Sequence, residues 1–581
     1  LTTIPKALQH LLSSLEASRF RFGPGEAGRV LNRVRRAAVA RYPDADSLLR
    51  FHEALLFLRA FPQAPAVVPA VERALQTVHI KVEALRRNGA EMAAFDTFEY
   101  SGVAGTEMED TLSFDVARWL IRRLPGKIEV AWKNYEPGRE LGNTVPRFVP
   151  FLEDDAFVEA DTPWRQWLEA AGGKRSNGKP ASPAWLMERF ESLSMPELRK
   201  AELYDSLRMP LRWSLGNSPL TRTLQRVPAR KVFYHGEPLI GRKRVVLASE
   251  LARRPPALKR LSRSKGQQIV ESVREAMLVR YRELYGTSLA DPNSVMQAEP
   301  GRGVTIYLWN LPPERRLPLR AYVAGMTLKN GVPVNYIEAI GLFEWMEVGF
   351  NTFYTFRGGE AGWIYAQVLR CLCQRMGTSC ISVYPYQLGH DNDEAIQSGA
   401  FWFYYKLGFR PGRADLRKLA EGEEEKIAAD PHYRTPARTL RRLAAGHVFY
   451  ELAGDARRGR MADTWNRFST RELGLGVNRR MARDFQGDAV KMREHARRKL
   501  EKVLGATTDS WKLMEKGSFD NFALLLADIP EVRWWTRAEK DGLLAVIRSK
   551  SQPDEMAYLR NTQKHGRLRD VLLKRGDPGK A

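Results

Sequence analysis

At 581 residues the chain is too long for one core, and a prior of roughly one domain per 100–200 residues predicts about three to five units. A hydrophobic share of 44% with 10% aromatics excludes a wholly disordered chain, and no run of about 18 uncharged apolar residues is present to span a membrane. The formal net charge of +24 points to an anionic contact, either nucleic acid, a phosphorylated cofactor or an acidic surface, unless it only reflects arginine spread along the whole chain.

Cys371, Cys373 and Cys380 are the only cysteines. An odd, sparse set does not build a disulfide framework and suits a reducing compartment, so a cytoplasmic location is expected. No His–Cys cluster has ligand spacing, so no metal is expected. The first residues lack the basic start and long apolar stretch of a signal peptide.

In chain order, residues 1–171 read as a mainly helical N-terminal region. "AGRVLNRVRRAAVARY" places Val30, Val34, Ala37 and Ala38 on one stripe with arginines elsewhere. "DTPWRQWLEAAGG" predicts a helix with Thr162 as cap and Pro163 at its first position, stopped by paired glycines. Residues 172–224 read as a linker, "GGKRSNGKPASP" at 172–183, followed by a helical connector that starts at Pro183.

Residues 225–452 form the next expected domain, with its core at 300–452. "ARKVFYHGEPLIGRKRVVLAS" reads as short strands and turns, and "KGQQIVESVREAMLVRYRELYG" as a long helix. Strands are then predicted at "GVTIYLWN", "LRAYVAGMTLK", "VPVNYIEAIGLF" and "VGFNTFYTF". Asn330-Gly331 between two of them accepts the positive φ of a type I′ hairpin. A helix follows in "GWIYAQVLRCLCQRMG", with Ile364, Val368, Cys371, Leu372 and Met376 on its packing face, then a strand in "TSCISVYPYQL". "SGAFWFYYKLGFRP" (398–411) reads as a helix that buries Ile396, Ala400, Phe403 and Leu407, with Tyr404 on the edge of the stripe and Tyr405 toward solvent. "EGEEEKIAAD" is a solvated acidic turn or helix end, and "HVFYEL" (447–452) a returning strand. Residues 453–581 are helical and basic throughout, and "NRRMARDFQGDAVKMREHARRKLEK" offers phosphate contacts.

Two pieces carry chemistry. "FYTFRGGEAGW" is a strand, a Gly-rich turn and a helix start, whose free N–H groups suit an anion. "FYYKLGF" is the second. Strand, "RGGEAG", helix, strand and "NDEAI…A…FYYKLGF" together resemble the GNAT superfamily of acyl-CoA-dependent N-acyltransferases over roughly residues 300–452. Arg357 and Gly362 fall on the ends of the family's helix-opening signature and Gly358 fits its Arg-Gly variant. Tyr404, Lys406, Gly408 and Phe409 match the later Tyr-x-Lys-x-Gly-Phe signature. The resemblance implies an α+β fold with a central mixed sheet, helices on both faces and mainly helical flanks. It implies an acyl-CoA donor held at Arg357, Gly358, Gly359 and Gly362, an amine-bearing acceptor, and Tyr404 as general acid toward the leaving thiolate.

A carboxylate on the central strands is the family's usual base. Glu338, Glu344 and Glu347 are the candidates, with Glu347 favoured because it lies nearest the strand leading into Arg357. The other reading of Glu347 is an edge salt bridge, and of Tyr404 a buried ring whose hydroxyl meets a backbone carbonyl. Glu360 stands where the family has its middle glycine. In the first turn of the helix its carboxylate is expected to mimic the pyrophosphate and oppose coenzyme A. Two alternatives therefore stand beside the acyltransferase: a transferase of the same fold that takes aminoacyl groups from charged tRNA, and a non-catalytic basic binding protein on a degenerate scaffold.

Overall fold

The computed structural model describes residues 5–135, 139–153, 163–172, 182–452 and 461–579. Thr162, most of the 172–183 linker and residues 453–460 lie outside them. The protein is α+β, and the chain divides into two compact units: residues 1–228 with 233–238 and 271–289, and residues 229–232 with 239–270 and 290–581. Among the described residues no helix is long and apolar enough to cross a membrane.

The first unit opens with five helices, Lys6–Ser18, Glu26–Val39, Ala45–Ala60, Val67–Gln76 and Val78–Arg87. Val30, Val34 and Ala37 are buried as their spacing requires, and Ala38 is half-buried. Ala45–Ala60 is buried on nearly every side, and Asp44 caps it by accepting from the Ser47 amide at 2.8 Å. The connector helix begins at Pro183 as expected, with Ser182 accepting from the Trp185 amide at 3.2 Å. A small antiparallel sheet was not legible in the sequence: β1 (Glu107–Thr111), β2 (Ile128–Val130) and β3 (Pro210–Ser214), in the order β1-β3-β2. Its strands are too short to show a period, and β3 comes some eighty residues after β2.

The second unit is built on a nine-stranded mixed sheet. Its strands are β4 (Lys259–Arg260), β5 (Met296–Gly301), β6 (Val304–Asn310), β7 (Ala321–Lys329), β8 (Val332–Leu342), β9 (Trp345–Thr352), β10 (Cys380–Val383), β11 (Arg410–Pro411) and β12 (Val448–Glu451). Their order is β11-β12-β10-β9-β8-β7-β6-β5-β4. Every pairing is antiparallel except β9 with β10, which are parallel and joined by the helix Ala361–Met376. Asn330 and Gly331 turn β7 into β8 with φ of +49° and +81°, as a type I′ turn requires.

Ile364, Val368, Cys371, Leu372 and Met376 are all buried. They dock their helix on the sheet face that carries Gly341, where a Cβ would come within 2.5 Å of Met376 Cε and 3.2 Å of Leu559 Cδ2. Leu559 belongs to the C-terminal helix Glu555–Gln563, so that region completes the same layer. Trp465 stacks on Trp345 from the opposite face, with ring centroids 4.9 Å apart. Helices therefore cover both faces.

Two local expectations fail, at 229–249 and in the aromatic stretch. The 229–249 segment holds no strand, only a tight turn at Arg242–Arg244 and a helix at Leu247–Ala252. Glycines, Pro238 and three successive cations leave it no alternating face, and the Ile240 amide bonds a carboxylate instead of a ladder. "EGEEEKIAAD" is the end of the helix Ala414–Ala429, one of its two expected forms. The aromatic stretch is two helices, Asp393–Ser398 and Ala400–Tyr405, separated by Gly399 at φ +65°. That left-handed residue rotates the second helix, so Phe401, Tyr404 and Tyr405 are buried while Ala400 and Phe403 are half-buried.

Candidate active site

The parallel strands β9 and β10 pair over only three positions, Trp345 with Cys380, Met346 with Ile381 and Glu347 with Ser382. β9 then runs on to Thr352, paired only with β8, while β10 ends at Val383 and the chain turns into Pro385–Leu388. The strands diverge after Glu347. The β9 backbone from Val348 to Thr352 has no ladder partner on that edge.

Glu347 stands at the fork. Its Oε2 lies 3.1 Å from His447 Nε2 and its Oε1 3.7 Å from the Arg320 guanidinium. His447 precedes β12, and its ring packs edge-on against Tyr384, just beyond β10, at 5.3 Å. The register explains the meeting. Ser382 pairs with Glu347 on one side and Phe449 on the other, and His447, two residues before Phe449, shares their face. His447 was not singled out from the sequence, because only the order β9-β10-β12 brings it to Glu347.

Tyr404 reaches the same gap from the helix side. Its hydroxyl donates to the Phe350 carbonyl at 3.5 Å, a long bond to the unpaired edge of β9. Phe350 is three residues beyond Glu347, about 10 Å along the strand. Burial raises the Tyr404 phenol well above its ordinary value, so it stays protonated at neutral pH. Tyr365, one turn into the 361–376 helix, packs beside it at 5.7 Å between centroids, and its buried hydroxyl has no hydrogen-bond partner among the described residues.

The other two carboxylates are placed differently. Glu338 shares the Glu347 face, since Ile340 pairs with Glu347 and Glu338 with Gly349. Its carboxyl is raised by burial and receives the Tyr322 phenol. Glu344 lies outside the fork, in the turn between β8 and β9. It binds the Arg569 guanidinium and the Trp465 indole at 3.0 Å, anchoring the C-terminal helices.

At the helix start, exposed Arg357 stacks 3.8 Å over Tyr354 and pairs with Glu394. Gly358 is exposed, Gly359 half-buried and donating to the Phe356 carbonyl at 2.9 Å. A Cβ at buried Gly362 would lie 3.4 Å from the Arg242 backbone.

Glu360 overturns its expectation. It is the N-cap residue, yet its side chain does not cap the helix. The carboxylate is fully buried on the Ile240 amide (3.1 Å), Arg302 Nε (3.0 Å) and Lys329 Nζ (3.1 Å). Burial alone would raise it, but Arg302 and Lys329 together outweigh burial and hold it below the ordinary carboxylate value. Burial also pushes Lys329 down to about 8 despite this partner. Two cations neutralise the one anion, so no free carboxylate occupies the helix N-terminus. Among the described residues no group of three or more His, Cys, Asp or Glu could hold a metal ion. No protein-family model, curated protein or solved structure matches this chain.

Proposed function

We propose that residues 300–452 form a GNAT-like N-acyltransferase core that moves an acyl group from a thioester to an amine. The observation that carries this reading is the β9/β10 fork, with the Glu347–His447 pair at its base and the Tyr404 phenol on the unpaired edge of β9. The turn from Arg357 to Gly362 fits an acyl-CoA donor better than the sequence implied, because Glu360 is neutralised from behind by Arg302 and Lys329. Bound there, acyl-CoA supplies an activated thioester.

The chain's own groups then handle two protons. The Glu347–His447 pair accepts the one released as the amine nitrogen bonds to the acyl carbon. Tyr404, kept protonated by burial, donates the other to the sulfur as the carbon–sulfur bond breaks. Solvent re-protonates the phenol.

Thiol release from acetyl-coenzyme A, followed with and without a panel of primary amines, tests the reading. Glu347→Gln and His447→Ala are expected to lower amine-dependent release by roughly 10²–10⁴-fold, the usual reach of acid–base catalysis. No calorimetric binding of coenzyme A together with no thiol release from any thioester would overturn it.

A further inference from the structure

The +24 charge is not evenly spread. Residues 239–270 hold nine lysines and arginines and one carboxylate, Glu250, a net +8 in 32 residues. In this strap, residues 242–254 run along the outside of the 361–376 helix, and the chain continues to the sheet edge beside β5. Arg242 packs on Gly362 at the helix start, Glu250 accepts from Gln367 Nε2 at 2.9 Å, Arg370 donates to the Arg254 carbonyl, and Lys259–Arg260 form the edge strand β4.

Lys243, Arg244, Lys259, Arg260, Arg263 and Lys265 are exposed, and none has a carboxylate partner among the described residues. The basic helix Ala489–Leu504 is different. Lys491 pairs with Asp488 at 3.4 Å, Arg498 with Glu494 at 3.5 Å, Lys499 with Asp528 at 2.5 Å, and Arg497 with Asp520. Its charge is largely neutralised internally, and the strap's is not. Lys406 adds to the excess: its ammonium is lowered by burial and then by Arg242, Lys243 and Arg434 nearby.

We infer that the 239–265 strap is a binding surface for the phosphodiester backbone of a nucleic acid. The strap's contacts on the helix run from Gly362 to Arg370, about 12 Å, which spans roughly three to four phosphates of one duplex strand at about 3.4 Å each. Arginine predominates among the strap's cations, and its planar fork suits phosphate oxygens. An anionic membrane fits less well, because Val246 is the one large hydrophobic residue of the segment that stands exposed.

Fluorescence anisotropy of the full chain with a labelled 20-nucleotide RNA, single-stranded and as a duplex, between 50 and 200 mM salt tests this surface independently of any acyl transfer. Affinity should fall with a log–log slope of about −0.7 per phosphate on the single strand and −0.9 on the duplex. The variant Lys243→Gln/Arg244→Gln/Lys259→Gln/Arg260→Gln, all at exposed positions, should bind at least about tenfold more weakly, with a slope flatter by about 0.7–0.9 for each phosphate that is no longer neutralised. The control Lys491→Gln/Lys499→Gln should bind as the native chain does. Absence of binding to both RNAs at 50 mM salt overturns the inference. So does equal weakening by the control, or binding confined to phosphatidylserine vesicles.

Discussion

Glu360→Gln is the most informative single change, because it removes the one anion that two cations, buried Lys329 and half-buried Arg302, share, and little else. Glutamine keeps the shape and still accepts from the Ile240 amide. It leaves Lys329, fully buried and 3.1 Å away, without its anion. Breaking a buried pair from one side costs about 3–5 kcal/mol. Arg302 is 27% exposed and can turn toward water, and Lys329 can shed its proton, so the net loss should be about 2–4 kcal/mol at pH 7.

The pH dependence carries the sign. Lys329 titrates near 8 folded and at 10.5 unfolded, so between those values the unfolded chain binds more protons and this group makes stability rise with pH. In the variant the folded value falls further and the rise begins earlier. The penalty relative to the native chain should therefore shrink between pH 7 and pH 9. Urea unfolding at both values measures it, and Glu360→Gln/Lys329→Met should recover most of the loss. Equal stability of native and variant chains at pH 7, or a penalty independent of pH, would refute the reasoning. Glu360→Gly is likewise expected to lose stability rather than to gain affinity for coenzyme A.

Tyr404→Phe should lower thiol release by roughly 10²–10⁴-fold with little change in unfolding free energy, because its one hydrogen bond among the described residues is 3.5 Å long. Tyr365→Phe removes a buried, unpartnered hydroxyl and should stabilise the chain by about 1 kcal/mol in urea unfolding. Glu338 has its carboxyl raised on folding, so its ionisation costs stability as pH rises from 4.5 through the folded value; Glu338→Gln should gain on the native chain over that interval in a pH series of melting temperatures. Gly399→Ala meets no atom within 4 Å, yet φ of +65° should cost it about 1–2 kcal/mol by the same unfolding measurement.

Much of the second unit was legible because its signals are local. The apolar strand runs between Val304 and Thr352, Asn330-Gly331 and the 3.6-residue period from Ile364 to Met376 each follow from backbone sterics and burial within one element. The left-handed break at Gly399 was missed because the apolar residues on either side continue one helical stripe past it, although glycine itself favours a stop. The site depended on distant residues. Glu347 meets His447, a hundred residues on, because β12 inserts beside β10. Glu360 reads as a misplaced anion until Arg302 from the β5–β6 turn and Lys329 from the end of β7 arrive to bury its charge. Sequence by itself determined which residues prefer helix, strand and turn, since those preferences act over a few bonds. Only the tertiary structure decided which charges cancel, because Coulomb energy depends on separation in space and on burial, and neither is written in the order of the chain.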